Sequence, residues 1–205
     1  MKWLKWLKWF TGLFAAAILT AFTVVSAHAE IAPDALIKTV ATDVTTVLKA
    51  DPAILSNAAK LKELIENKLI PNFSFARMTQ LAMGRNWSKA SPDQQAALTK
   101  EFQTLLVRTY SGALANFRNN TIDVRPLRMQ PADADVTVKT VINQPNGQGI
   151  PIDYSLEKGA DGGWKAYDIV VAGVSLVTNY RDEFNTVIRD QGVDALVKQL
   201  QAKNK

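Results

Sequence analysis

Asp168 interrupts an otherwise apolar run from Trp164 to Val171 and is the polar residue best placed to do chemistry. As a functional group it would be a carboxylate base beside Tyr167, or a contact for a polar ligand. As a structural group it would accept hydrogen bonds that fix a turn or a neighbouring strand end. The chain offers it no usual catalytic partner: cysteine is absent, and the single histidine, His28, stands in an N-terminal stretch that reads as a leader. That removes Ser-His-Asp and Cys-His catalysis, histidine and thiolate zinc sites, and lipidation at a cysteine. The structural reading of Asp168 is the favoured one. Arg181 suits a phosphate or a carboxylate on its own helix surface. Asp182 and Glu183 are adjacent on a helix and point apart, and Asp133 and Asp135 are too sparse for a calcium loop. The expectation is a protein that is not an enzyme and holds no metal or cofactor.

The leader is defined by charge, hydropathy and a cleavage pattern. Lys2, Lys5 and Lys8 punctuate a tryptophan-rich start, an apolar run extends from Trp9 to Val25, and Ala27-His28-Ala29 precedes Glu30. Residues 1–29 are therefore expected to be a cleaved signal peptide. The alternative, a retained anchor, is disfavoured because the run is shorter than the ~20 residues a spanning helix needs. No twin-arginine pair is present, which points to export in the unfolded state. The leader carries three of the 24 basic residues and none of the 19 acidic ones, leaving residues 30–205 at only +2. So small and interleaved an excess argues against a nucleic-acid footprint. Without disulfides the exported chain must rely on its core, and residues 30–205 are expected to form a single domain.

Periodicity supplies the elements that would position these groups. Leu36, Ile37, Val40, Val44, Val47 and Leu48 form one helical stripe that begins at Pro33-Asp34 and stops before Asp51-Pro52. Leu61, Leu64, Ile65 and Leu69 mark a second helix ending near Pro71, and Phe75, Met78, Leu81 and Ala82 a third, closed by Gly84. Ser91-Pro92-Asp93-Gln94 reads as a capping box. It opens a stripe from Leu98 through Phe102, Leu105, Leu106, Tyr110 and Leu114 to Phe117, long enough for a helix of about 26 residues.

Alternation then replaces helical spacing. Ile122 and Val124, Val136 to Ile142, Ile150 to Leu156, and Trp164 to Val171 predict four strands. Asn146-Gly147 and Asp161-Gly162 are hairpin signals, so the strands are expected to form an antiparallel meander. Tyr167, Ile169 and Val171 share one side of the last strand. Gly173 marks the switch to a helix through Leu176, Val177, Tyr180 and Phe184, and is expected where strand and helix pack closely. A last helix runs from about Val193 to Lys203. Helices on either side of an antiparallel sheet make an α+β domain.

The ordered set Phe73, Met78, Gly84 and Trp87, then Gln94, Phe102, Leu106 and Tyr110, then Trp164, Asp168, Gly173-Val174-Ser175 and Tyr180-Arg181 resembles the MlaC family, also called toluene-tolerance or ABC-transporter auxiliary proteins. The match covers essentially all of residues 30–205. One departure is Ser74, where the family often carries an acidic residue.

The resemblance implies an NTF2-like curved antiparallel sheet of about four strands, wrapped by N-terminal and C-terminal helices around an apolar cavity. It implies a monomeric periplasmic carrier with phospholipid as cargo. Such a carrier shuttles lipid between an outer-membrane lipoprotein-porin complex and an inner-membrane ABC transporter with an MCE-domain protein, maintaining outer-membrane lipid asymmetry. The lipid-binding candidates are then Phe75, Met78 and Leu81; Phe102, Leu106 and Tyr110; Val136, Val138, Ile152 and Tyr154; and Ile169, Val171 and Val174. At each of these positions ordinary core packing is an equal alternative. Whether Asp168 or Arg181 meets a head group stays open. Two other classes remain: an exported NTF2-like isomerase or cyclase using Asp168 and Tyr167, and a ligand-free adaptor bridging envelope complexes.

Overall fold

A computed structural model describes residues 31–144 and 147–205. The expected leader, Asn146 of the Asn146-Gly147 turn and the side chain of Phe117 lie outside the described residues. Helix α1, Pro33–Ala50, starts with a proline whose missing N–H costs nothing in the first turn, and turns Ile37, Val44 and Leu48 inward. Asn57 caps α2, Ala58–Leu64, accepting from the N–H groups of Ala59 and Lys60 at 3.1 Å each. The single helix expected up to Pro71 does not persist. Its winding widens to a π turn over Ile65–Leu69 and tightens to a 3-10 turn over Ile70–Asn72, where Pro71 has no N–H to continue the ladder.

Helix α3, Phe75–Met83, ends at Gly84, whose φ of +54° only glycine adopts readily. Ser91 and Gln94 form the expected capping box at the start of α4, Pro92–Tyr110, with bonds of 3.2 and 2.9 Å. The α-helix is shorter than its apolar stripe. After 19 residues it tightens into a 3-10 segment, Ser111–Phe117, in which Gly112 withdraws helical support.

Strands β1 (Thr121–Val124), β2 (Asp135–Asn143), β3 (Ile150–Lys158), β4 (Trp164–Val171) and β5 (Val174–Ser175) form one antiparallel sheet in sequence order. The four expected strands are present, and β5 is an addition. Ala172 (φ +49°) and Gly173 (φ +86°) make a two-residue turn between β4 and β5 in which both residues are left-handed, the geometry that matches sheet twist. No atom lies within 4 Å of where a Cβ on Gly173 would stand. The glycine therefore serves the backbone conformation and not the close packing expected of it. Helices α5, Leu176–Gln191, and α6, Val193–Lys203, complete the α+β fold.

One irregularity in β4 changes which side chains face inward. Pairing steps from Ser155↔Asp168 to Leu156↔Ala166, so Tyr167 has no partner in the ladder. Trp164 and Ala166 therefore lie on the same face as Ile169 and Val171. Tyr167 does not, contrary to the simple period of two. Its hydroxyl instead donates to the Asp135 carboxylate at 2.8 and 2.9 Å, and the Arg77 guanidinium stands 5.7 Å over its ring.

Among the described residues, packing divides into three clusters. Met78, Leu98, Phe102, Phe184, Leu196 and Leu200 join α3, α4, α5 and α6. Val44, Leu48, Leu64, Ile65 and Leu114 join α1 to the irregular segment and to the end of α4. Ile37, Val138, Leu156, Trp164 and Ala166 fill one end of the sheet face beneath the start of α1.

Candidate functional site

The three clusters meet without closing. Between them lies a cavity of about 250 Å³, bounded by α1, the 65–73 segment, α3, the end of α4 with its 3-10 extension, β3, β4 and the first residue of α5. Protein interiors are packed with few voids larger than a water molecule. A half-open apolar space of about 250 Å³ where side chains would otherwise pack is a candidate binding site.

The sheet shows how the space arises. On one face of β3, Leu156 is fully buried against Val138 and Trp164, whereas Ile152 and Tyr154 further along the same face line the cavity. On β4 the bulge carries Ala166, Ile169 and Val171 to that same wall. The opposite wall comes from Ile37, Val40, Ala41 and Val44 of α1. The two breaks in regular helix supply the rest: Ile65, Leu69 and Ile70 from the π turn onward, and Ala113 and Leu114 from the 3-10 extension. Val40, Leu69, Phe75, Val107, Ile169 and Val171 line the interior and are only half-buried, because each has a side that borders the cavity.

Of the residues expected to hold ligand, Phe75, Met78, Leu106, Tyr110, Ile152, Tyr154, Ile169 and Val171 line the cavity. The other five lie elsewhere. Phe102 is one turn from Leu106 but is fully buried between Tyr180 and Phe184, with ring centroids 5.1 Å from each. Leu81 packs against the same helical cluster. Val138 and Val136 belong to the filled end of the sheet. Val174 sits on the outer strand β5 and is 60% exposed. The sequence reading missed the α1 wall and the 65–70 segment, whose apolar stripes look the same whether they face a core or a void.

The polar candidates have structural work. The Asp168 carboxylate accepts from the N–H groups of Ile169 and Val177 at 2.8 and 3.1 Å and from the Ser175 hydroxyl at 2.6 Å. Ser175 Oγ in turn accepts from Thr178 N–H at 3.0 Å. Asp168 and Ser175 together satisfy the first free donors of α5, where a carboxylate also opposes the positive helix end. Arg181 Nε donates to the main-chain carbonyl of Leu81 at 3.1 Å, which ties α5 to the last turn of α3. Burial pushes the Tyr154 hydroxyl up to about 12, and burial together with neighbouring Tyr180 does the same to Tyr110. Among the described residues no cluster of carboxylates or histidines could hold a metal ion. The lining is almost wholly apolar, suited to hydrocarbon and not to ionic substrates.

Comparison with known proteins points the same way. Residues 38–202 match the family model described as MlaC protein. The chain is 28% identical over 188 residues to the intermembrane phospholipid transport system binding protein MlaC of Haemophilus influenzae, covering 90% of this chain and 88% of that one. Over 107 residues it is 31% identical to the toluene tolerance protein ttg2D of Pseudomonas putida, covering 52% of this chain and 48% of that protein. A solved phospholipid-binding protein from Ralstonia solanacearum, in complex with a phospholipid, superposes with a TM-score of 0.77 at 41% identity, covering 86% of this chain and 97% of that one. Since the family model spans most of its length, the chain belongs to the MlaC family.

Proposed function

We propose that this protein is a periplasmic phospholipid carrier, taking acyl chains into the cavity and leaving the head group outside. The observation that carries the reading is the cavity itself, a space of about 250 Å³ with an apolar lining where a closed core would otherwise be. The phospholipid in the Ralstonia relative and the name of the Haemophilus one support it. In physical terms, two acyl chains of ~30 methylenes in all would expose an apolar load of order 20 kcal/mol to water at ~0.8 kcal/mol per CH₂. A covered pocket lowers that barrier in proportion to the length of chain it encloses. Transfer from bilayer to pocket is then close to neutral, because both are apolar, and the direction of traffic falls to the partners.

In this account the partners are an MCE-domain protein of an inner-membrane ABC transporter and an outer-membrane lipoprotein-porin complex, and the role is upkeep of outer-membrane lipid asymmetry. The protein acts without catalysis: Asp168 is occupied in holding α5, and residues 30–205 contain no histidine or cysteine. The test is transfer between vesicles. Purified protein should speed the movement of a labelled phospholipid from donor to acceptor vesicles in proportion to its concentration. A rate equal to that of vesicles alone would end the carrier reading.

A further inference from the structure

Among the described residues four polar side chains line the cavity: Asn72, Tyr110, Ser111 and Tyr154. Three have polar protein neighbours. Asn72 Nδ2 donates to the Lys68 carbonyl at 2.8 Å, Ser111 Oγ to the Arg108 carbonyl at 3.4 Å, and the Tyr110 hydroxyl has Tyr180 as its polar neighbour. Among the described residues the Tyr154 hydroxyl has no such partner, and burial alone accounts for its raised pKa. Its cross-strand neighbours are Val138 and Ile169, both aliphatic.

Tyr154 stands at the border between the filled end of the sheet and the void, touching the Val138–Leu156–Trp164 cluster while lining the cavity. It keeps accessible surface, yet its surroundings are dense enough to push its hydroxyl up to about 12. The two facts agree when the accessible surface faces the cavity and not bulk water. A hydroxyl that faces an apolar cavity without a protein partner needs an acceptor on the ligand once the ligand displaces water from it.

We propose that the Tyr154 hydroxyl is the polar anchor of the cavity, donating a hydrogen bond to an ester carbonyl at the head of a bound acyl chain. This rests on the phospholipid reading above and adds a specificity to it. A tyrosine hydroxyl is both a donor and an acceptor, but in a hydrocarbon pocket a diacyl lipid presents acceptors only, its ester carbonyls. The protein is thereby tuned to ester-linked over ether-linked lipids, a distinction that apolar contacts do not make. The contrast is the general one in which a site built to hydrogen-bond discriminates against an analogue lacking the group.

The experiment compares the wild-type chain with Tyr154→Phe, both stripped of lipid, binding a short-chain monomeric diacyl phosphatidylglycerol and its dialkyl ether analogue. The wild type should favour the diacyl lipid by about five- to tenfold, the size of one net hydrogen bond at ~1.4 kcal/mol per decade. Tyr154→Phe should lose that preference, its affinities for the ester and the ether lipid moving toward equality. The infrared carbonyl band of a carbon-13 ester should shift to lower frequency in the wild-type complex and not in the variant. A thermal midpoint at or above that of the wild type would place the effect in binding and not in folding. Equal ester-to-ether ratios and identical carbonyl bands in the two proteins would overturn the proposal while leaving phospholipid binding intact. Failure of both lipids to bind either protein would overturn the underlying reading as well.

Discussion

Asp168 and Ser175 face each other across the β4–β5 turn at 2.6 Å, and between them they hold the N-terminus of the helix that borders the cavity. The carboxylate that tempts a catalytic interpretation is thus a clasp between strand and helix. Asp168→Ala should destabilise the fold by ~1.5–3 kcal/mol, the range for hydrogen bonds to a charged group, read as a lower urea midpoint. Asp168→Asn should cost less, since it keeps one acceptor. Lipid affinity of the folded fraction should be unchanged in both. A variant of normal stability that has lost lipid binding would contradict the clasp.

Val171 and Val174 bracket the same turn, yet one lines the cavity and the other is exposed. Val171→Trp should fill part of the space, lower lipid occupancy and leave the stripped protein at least as stable as the wild type, because filling a void recovers part of its cost. Val174→Trp should leave occupancy unchanged. Quantifying extracted lipid per protein checks both, and equal occupancy in the two variants would remove Val171 from the wall.

Alkaline pH provides a different handle. Tyr154, Tyr110 and Tyr167 each have hydroxyls pushed from 10.0 up to about 12, chiefly by burial, with Asp135 adding to the effect at Tyr167. Between these values the unfolded chain loses phenolic protons that the native state keeps, so stability falls as pH rises. The stabilising contribution is complete below about pH 10 and is lost on approaching pH 12. Denaturant unfolding followed from neutral to alkaline pH should show the midpoint declining across that window, and less steeply in Tyr154→Phe.

Much of this architecture was legible in the sequence. The α1 stripe, the Ser91–Gln94 capping box and the strand alternation follow from local chemistry, which is why they appear at the expected places, whereas Gly173 serves a left-handed turn and not the close packing expected of it. Features set by long-range packing were not legible. Phe102 and Leu106 lie one turn apart on the same stripe, but only Leu106 reaches the void, because Tyr180 and Phe184 close over Phe102. Val138 and Tyr154 are cross-strand partners, one in the packed core and one on the cavity wall. Tyr167 was misplaced because one extra residue in a ladder reverses every side chain beyond it. The cavity depends on breaks in regular structure, at 65–69 and 111–117, that an apolar stripe does not reveal.

The central claim is that the cavity is a lipid site, and native mass spectrometry tests it most directly. Protein stripped of lipid by organic extraction, refolded and incubated with phospholipid vesicles should return with a mass increase equal to bound phospholipid. Its thermal midpoint should rise, as binding to the folded state alone requires; at a hundredfold excess over Kd this amounts to ~2.7 kcal/mol. Protein that acquires no phospholipid from vesicles, and carried none before extraction, would contradict the account.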